Sequence, residues 1–129
     1  MLAVPDTTAA VEWYKKTFNA KVLWSLGSVA GMGIENAPFF LHEPVKDKFS
    51  SPLELGTTTA RIELFVDNPE EIIANAIEAG AEGSIDDIRD YQVPWGIHQQ
   101  GGVTDPFGHR WLIGDKSPLN PFPAGDQKE

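Results

Sequence analysis

Cysteine is missing from all 129 residues. Its absence excludes disulfides, thiolate catalysis and cysteine-bound zinc. Basic residues are scarce as well, 10 Lys and Arg against 19 Asp and Glu, for a formal net charge of −9. That balance argues against nucleic acid or an anionic membrane as a partner, since both need clustered cations. No apolar run approaches the roughly 18 residues of a membrane helix, and no basic-then-apolar leader opens the chain, so the expected location is the cytoplasm. What is present is a 41% share of hydrophobic residues, enough for the core of one compact domain.

Two segments read as a strand running into an amphipathic helix. The first is MLAVPDTTAAVEWYKKTFNA, with Asp6 as N-cap and Ala10, Val11, Tyr14 and Phe18 at helical spacing. The second is ARIELFVDNPEEIIANAIEAGA, where Ile62, Leu64 and Val66 alternate along a strand, Asn68 caps, Pro69 takes the first helical position and Gly80 stops the helix. Val4-Pro5-Asp6 aligns with Val66-Asp67-Asn68, and Asn19-Ala20 with Gly80-Ala81. After each helix the pattern predicts three strands: about 21–26, 29–35 and 38–42, then about 83–88, 96–104 and 109–114. NAPFFLHE falls under GHRWLIGD in this alignment. The chain therefore reads as βαβββ twice, a tandem module in an α+β fold. Residues 1–116 form one domain with modules at about 1–43 and 59–116. The polar stretch 44–58 links them, and 117–129 is a tail from which Phe122 is placed to dock on a partner.

Between the last two predicted strands lies GGVTDPFGHRW. Asp105-Pro106-Phe107-Gly108 fits a β-turn, with Pro setting φ and Gly tolerating positive φ. His109 follows as a rim or turn residue, and alternation sends Trp111 to the core.

With VPDTTAAVEWYKKTFNA, VDNPEEIIANAIEAGA and WGIHQQGGVTDPFGHRW, the chain resembles the vicinal oxygen chelate superfamily, the glyoxalase and bleomycin-resistance proteins, and within it a small single-domain bacterial branch. The resemblance implies curled sheets that form a cup with the helices outside. It also implies a homodimer, in which the modules of a cup come from one chain or from both. The cup holds a divalent metal in the family's enzymes and an antibiotic in its resistance proteins.

The family pattern places metal ligands on the first and last strand of each module. In this sequence the matching positions are Arg61, Leu112 and Phe40, none of which coordinates a divalent cation; the fourth position precedes Met1. A one-residue shift restores no ligand set. His42 and Glu43, joined by Glu63, form the one off-pattern alternative; the plainer reading leaves Glu43 solvated and His42 a polar pocket residue.

If Arg61 faces the cup, so do Glu63, and on other strands Arg110, Leu112, Phe40 and His42, with Trp24 and Trp95 at the mouth. Apolar walls with a few polar groups suit an organic ligand. Arg61 either holds an anionic or carbonyl oxygen or pairs with Glu63. The reading is a small-molecule-binding protein without metal or other cofactor, sequestering or carrying an aromatic or amphipathic ligand such as an antibiotic. The alternative is a glyoxalase-like lyase, isomerase or dioxygenase with a divalent metal at a non-standard site.

Overall fold

The computed structural model describes residues 1–120, so Phe122 and most of the expected tail lie outside the described residues. These residues form two four-stranded mixed sheets and three α-helices. In the first half, β1 (Leu2–Ala3) leads into α1 (Thr7–Phe18), followed by β2 (Lys21–Ser25), β3 (Val29–Ile34) and β4 (Ala37–His42). In the second half, β5 (Arg61–Phe65) leads into α3 (Pro69–Glu78), followed by β6 (Arg89–Val93), β7 (Gly96–Thr104) and β8 (Arg110–Gly114). The sheet orders are β1-β4-β3-β2 and β5-β8-β7-β6. In each, first and last strands pair in parallel and the remaining strands are antiparallel. This is the α+β βαβββ duplication that the sequence implied.

The helix signals act as read. Asp6 accepts from the Ala9 amide at 3.1 Å and Asn68 from the Glu71 amide at 3.3 Å, satisfying donors of the first turn. The repeat alignment also holds at the packing level. Phe39 and Trp111, its counterpart, turn inward and meet at 6.4 Å between ring centroids, and the next inward pair, Leu41 and Ile113, is fully buried.

Two expectations of secondary structure are corrected. The strand expected near residues 83–88 is a 3-10 turn at Ile85–Asp87, started by Ser84, whose hydroxyl accepts from the Asp86 amide; the strand follows at Arg89–Val93. That strand is a sheet edge and mostly exposed, so it carries no apolar alternation. The stretch 44–58 also holds a helix, α2 (Pro52–Leu55), closed by a capping box. Ser51 Oγ accepts from the Glu54 amide, and Glu54 Oε1 accepts from the Ser51 amide.

One core serves both halves. Tyr14 and Phe18 of α1 pack on Trp111, and Trp13 and Tyr14 pack on Phe107. Trp13, which the periodicity did not place in the core, is buried and donates from Nε1 to the Ala79 carbonyl at the end of α3.

The Asp105–Gly108 turn is built as expected. The Gly108 amide donates to the Asp105 carbonyl, and Gly108 has φ 91°. Its carboxylate does more than shape the turn. Asp105 is 3% exposed and accepts from Tyr14 Oη (2.5 Å), Trp111 Nε1 (2.8 Å) and the amides of Phe107 and His109. Burial pushes the Tyr14 hydroxyl well up from its ordinary pKa, and the Asp105 charge adds to the shift, so Tyr14 stays a donor. His109 is not a rim residue: it is buried, and its Nε2 donates to the Ala3 carbonyl at 2.8 Å, tying β8 to β1.

Candidate ligand-binding faces

Strand alternation gives each sheet one face against the helices and one bare face. On the first sheet the bare face carries Leu23, Trp24, Phe40 and His42. Leu23, Trp24 and Phe40 are 55%, 38% and 46% exposed. Trp24 lies across Gly31, where a Cβ would come within 2.6 Å of the indole, and its ring sits 5.4 Å from that of Phe40. His42 is half-buried against Phe49, with Nδ1 2.6 Å from the Glu43 carbonyl oxygen. Glu43 turns away from the face, its Oε2 accepting from the Thr7 amide at the start of α1.

On the second sheet the parallel register sets Arg61 beside Arg110, Glu63 beside Leu112 and Phe65 beside Gly114. Arg61, Glu63 and Arg110 are exposed, and Ile62, Leu64 and Val66 pack toward the core, as alternation required. Arg110 donates to Thr104 Oγ1 at 3.3 Å. Among the described residues neither guanidinium has an ion pair, and Arg61 does not pair with Glu63. Trp95 stands apart in the β6–β7 turn, half-buried, and donates to Ser117 Oγ at 3.0 Å.

Phe39 and Trp111 belong to the helix-side faces of their sheets and touch each other. The bare faces therefore look away from one another within a single chain. Phe40, Trp24 and His42 are gathered on one; Arg61, Glu63, Arg110 and Leu112 are gathered on the other. Two clefts touch the second set. One of about 300 Å³ is lined by Pro52, Leu53, Glu82, Thr104, Gly108 and Arg110. Another of about 380 Å³ reaches Glu63 and Phe65 from the β3–β4 turn.

A divalent metal does not fit the residues at the family's ligand positions. Arg61 brings a cation, and Leu112 and Phe40 bring hydrocarbon. His42 and Glu43 point their polar atoms to separate backbone partners, and no group of three His, Asp or Glu side chains among the described residues lies together.

One polar group on the bare face of the second sheet was missed by sequence reasoning. His98 of β7 is buried and hydrogen-bonded to Asp115. Its only sequence signal was its place in strand alternation, opposite Tyr91.

Comparison with known proteins agrees with this architecture. The family model for the Glyoxalase/Bleomycin resistance protein/Dioxygenase superfamily matches residues 1–113. An uncharacterized protein of Mycobacterium bovis, Mb0911c, is 31% identical over 126 aligned residues, covering 88% of this chain and 78% of that protein. A glyoxalase/bleomycin resistance protein from Albidiferax ferrireducens superimposes with a TM-score of 0.68 at 14% identity, covering 89% of this chain and 94% of that one. The fosfomycin resistance protein FosX of Mesorhizobium loti gives 0.57 at 12% identity, covering 88% and 86%. No helix among the described residues is long and apolar enough to cross a membrane. With the duplicated fold and a family match over most of its length, this chain belongs to the Glyoxalase/Bleomycin resistance protein/Dioxygenase superfamily.

Proposed function

We propose that the protein binds a small aromatic or amphipathic molecule without a metal, in a cup that two copies build together. The first sheet of one copy supplies the aromatic wall, with Trp24, Phe40 and His42. The second sheet of the other supplies Arg61, Glu63, Arg110 and Leu112. The observation that carries this reading is the outward direction of both bare faces. Leu23, Trp24 and Phe40 are left in water, and such clustered apolar exposure marks an interaction surface. A two-fold dimer brings unlike faces together twice.

Arg61 and Arg110 stand side by side, and among the described residues neither has an acidic partner. Two adjacent guanidiniums repel, and an oxyanion between them relieves that repulsion with charge-assisted hydrogen bonds. The ligand is therefore a ring system bearing a carboxylate, phosphonate or comparable oxygen; an antibiotic of that composition falls within the class. Sequestration or carriage needs no more than these contacts.

The test joins light scattering to a thermal-shift screen of aromatic acids. A dimer is expected, with Phe40→Glu shifting it to monomer. Bound aromatic acids should lose about tenfold in affinity on Arg61→Ala, roughly the worth of one charge-assisted hydrogen bond. A wild-type monomer, or ligand affinity indifferent to Arg61, overturns the reading. So does nickel, zinc, manganese or iron retained at one per chain after purification, which would favour the metalloenzyme alternative.

A further inference from the structure

His98 is a buried histidine on the bare side of its sheet. Its Nδ1 lies 2.7 Å from Asp115 Oδ1 and 3.2 Å from Ser117 Oγ. Asp115 is held firmly: Oδ2 accepts from the Gln99 amide at 2.8 Å, and Oδ1 accepts from the Ser117 amide at 3.0 Å. Desolvation acts to raise the Asp115 carboxyl, but the amides of Gln99 and Ser117, the Ser117 hydroxyl and His98 outweigh it and hold the group well below the usual carboxylate range. An ionised carboxylate only accepts, so Nδ1 must donate to it. Whenever the ring is neutral, its single proton is on Nδ1 and the lone pair is on Nε2.

The ring is also fixed in place. It lies over Gly114, where a Cβ would sit 2.7 Å from Cε1 and 2.8 Å from Nε2. Phe65 flanks it at 6.5 Å between centroids. Nε2 has no partner among the described residues. The only buried, unpartnered polar side-chain atom among them is Thr17 Oγ1, so Nε2 reaches the surface of the bare face. Farther along the same face, past Gln100, Gly102 and Leu112 pair across the ladder and leave a low apolar floor. The Cα pair of Arg61 and Arg110 lies four residues along β5 from Phe65, about 13 Å at the rise of a strand.

We propose that His98 Nε2 is the hydrogen-bond acceptor of this face, taking the O–H of a phenol or enol on a planar ligand that lies over Gly102 and Leu112 against Phe65. Asp115 is the positioning residue: it fixes the tautomer that can accept. The inference rests on the proposed ligand role of the second sheet and adds the chemistry of the ligand's far end, an acidic hydroxyl opposite the oxyanion held by the arginines.

The test uses 4-nitrophenol as probe and the full chain labelled with ¹⁵N. Ring nitrogens are read by long-range proton–nitrogen correlation, with His98 assigned from the His98→Gln spectrum. The free protein should show the Nδ1–H tautomer. Millimolar 4-nitrophenol should shift the Nε2 resonance saturably. His98→Gln should bind the probe about tenfold more weakly, the worth of one hydrogen bond to a held acceptor. Asp115→Ala keeps the imidazole but removes the acceptor at Nδ1; it should release the proton to Nε2 and weaken the probe.

An Nε2–H tautomer in the wild type, an Nε2 resonance unmoved by probe, or equal probe affinity in His98→Gln overturns the inference. A purely structural strut would show melting-temperature loss in both variants with probe affinity unchanged. If the dimer and Arg61-dependent binding of aromatic acids stand while 4-nitrophenol fails, this inference falls alone. If the chain is a monomer that binds neither, both readings fall.

Discussion

The two modules share one topology and differ in what each does with its surfaces. The first spends its aromatic residues on both sides. Trp13, Tyr14 and Phe18 of α1 fill the common core, while Leu23, Trp24 and Phe40 remain outside. The second sends a carboxylate inward: Asp105 reaches from the β7–β8 turn to Tyr14 of the other module. Outside, it displays Arg61, Glu63 and Arg110, with His98 behind them. The corresponding turn of the first module sends nothing inward; Glu35 is exposed and meets Lys116 at 3.2 Å. Duplication thus fixed where strands and helices go, and divergence of face residues decided which module locks the core and which presents charge.

The largest test of this asymmetry is at the two turns. Asp105→Ala leaves the Tyr14 hydroxyl, the Trp111 indole and two amides without their acceptor, and should cost about 3–5 kcal/mol in urea unfolding. Glu35→Ala, at the equivalent turn, should stay within about 0.5 kcal/mol, as exposed pairs do. Comparable losses at both turns would break the distinction.

Next come two glycines that each lie beneath a ring. Ala at Gly31 meets Trp24 at 2.6 Å, but Trp24 sits on an edge strand, 38% exposed, and can swing away. Ala at Gly114 meets His98 at 2.7 Å, and the ring is tied to Asp115, with the Gln99 carbonyl a further 3.2 Å contact. Gly114→Ala should cost about 2–3 kcal/mol and Gly31→Ala less than about 1 kcal/mol. Denaturant midpoints in the reverse order would show that Trp24 is the more rigid ring.

The smallest effect concerns the paired N-caps. Asp6→Ala and Asn68→Ala should each cost about 1 kcal/mol. Asp6→Ala should cost more, by about 0.5 kcal/mol, because α1 has no other acidic residue in its first turn, whereas α3 keeps Glu70 and Glu71 to complement the helix dipole. Equal losses by thermal unfolding would show that charge at the helix start matters little in this protein.

Much of the fold was legible because its signals are local. Asp6, Asn68 and Pro69 state helix starts within a few residues, and Asp105-Pro106-Phe107-Gly108 states a turn. The strand at Arg89–Val93 was not legible, since an exposed edge strand has no buried face to impose alternation. The helix at Pro52–Leu55 was written in Ser51-Pro52-Leu53-Glu54, a capping box passed over inside a polar stretch. At the candidate site, alternation placed Arg61 with Glu63 and Arg110 with Leu112. It said nothing of Asp115, which lies beyond the strand and reaches His98 only through the chain's return.

By itself the sequence determined the duplicated strand–helix order, the side of each strand that must be buried, and the non-chelating chemistry of Arg61, Leu112 and Phe40. Those are properties of spacing and side-chain chemistry. Only the tertiary structure decided that the helix-side faces of both modules share one core around Tyr14, Trp111 and Asp105, and so turned the two bare faces apart. The physical reason is that hydrophobic burial is non-directional: periodicity states which face avoids water, and long-range packing and buried hydrogen bonds choose what covers it.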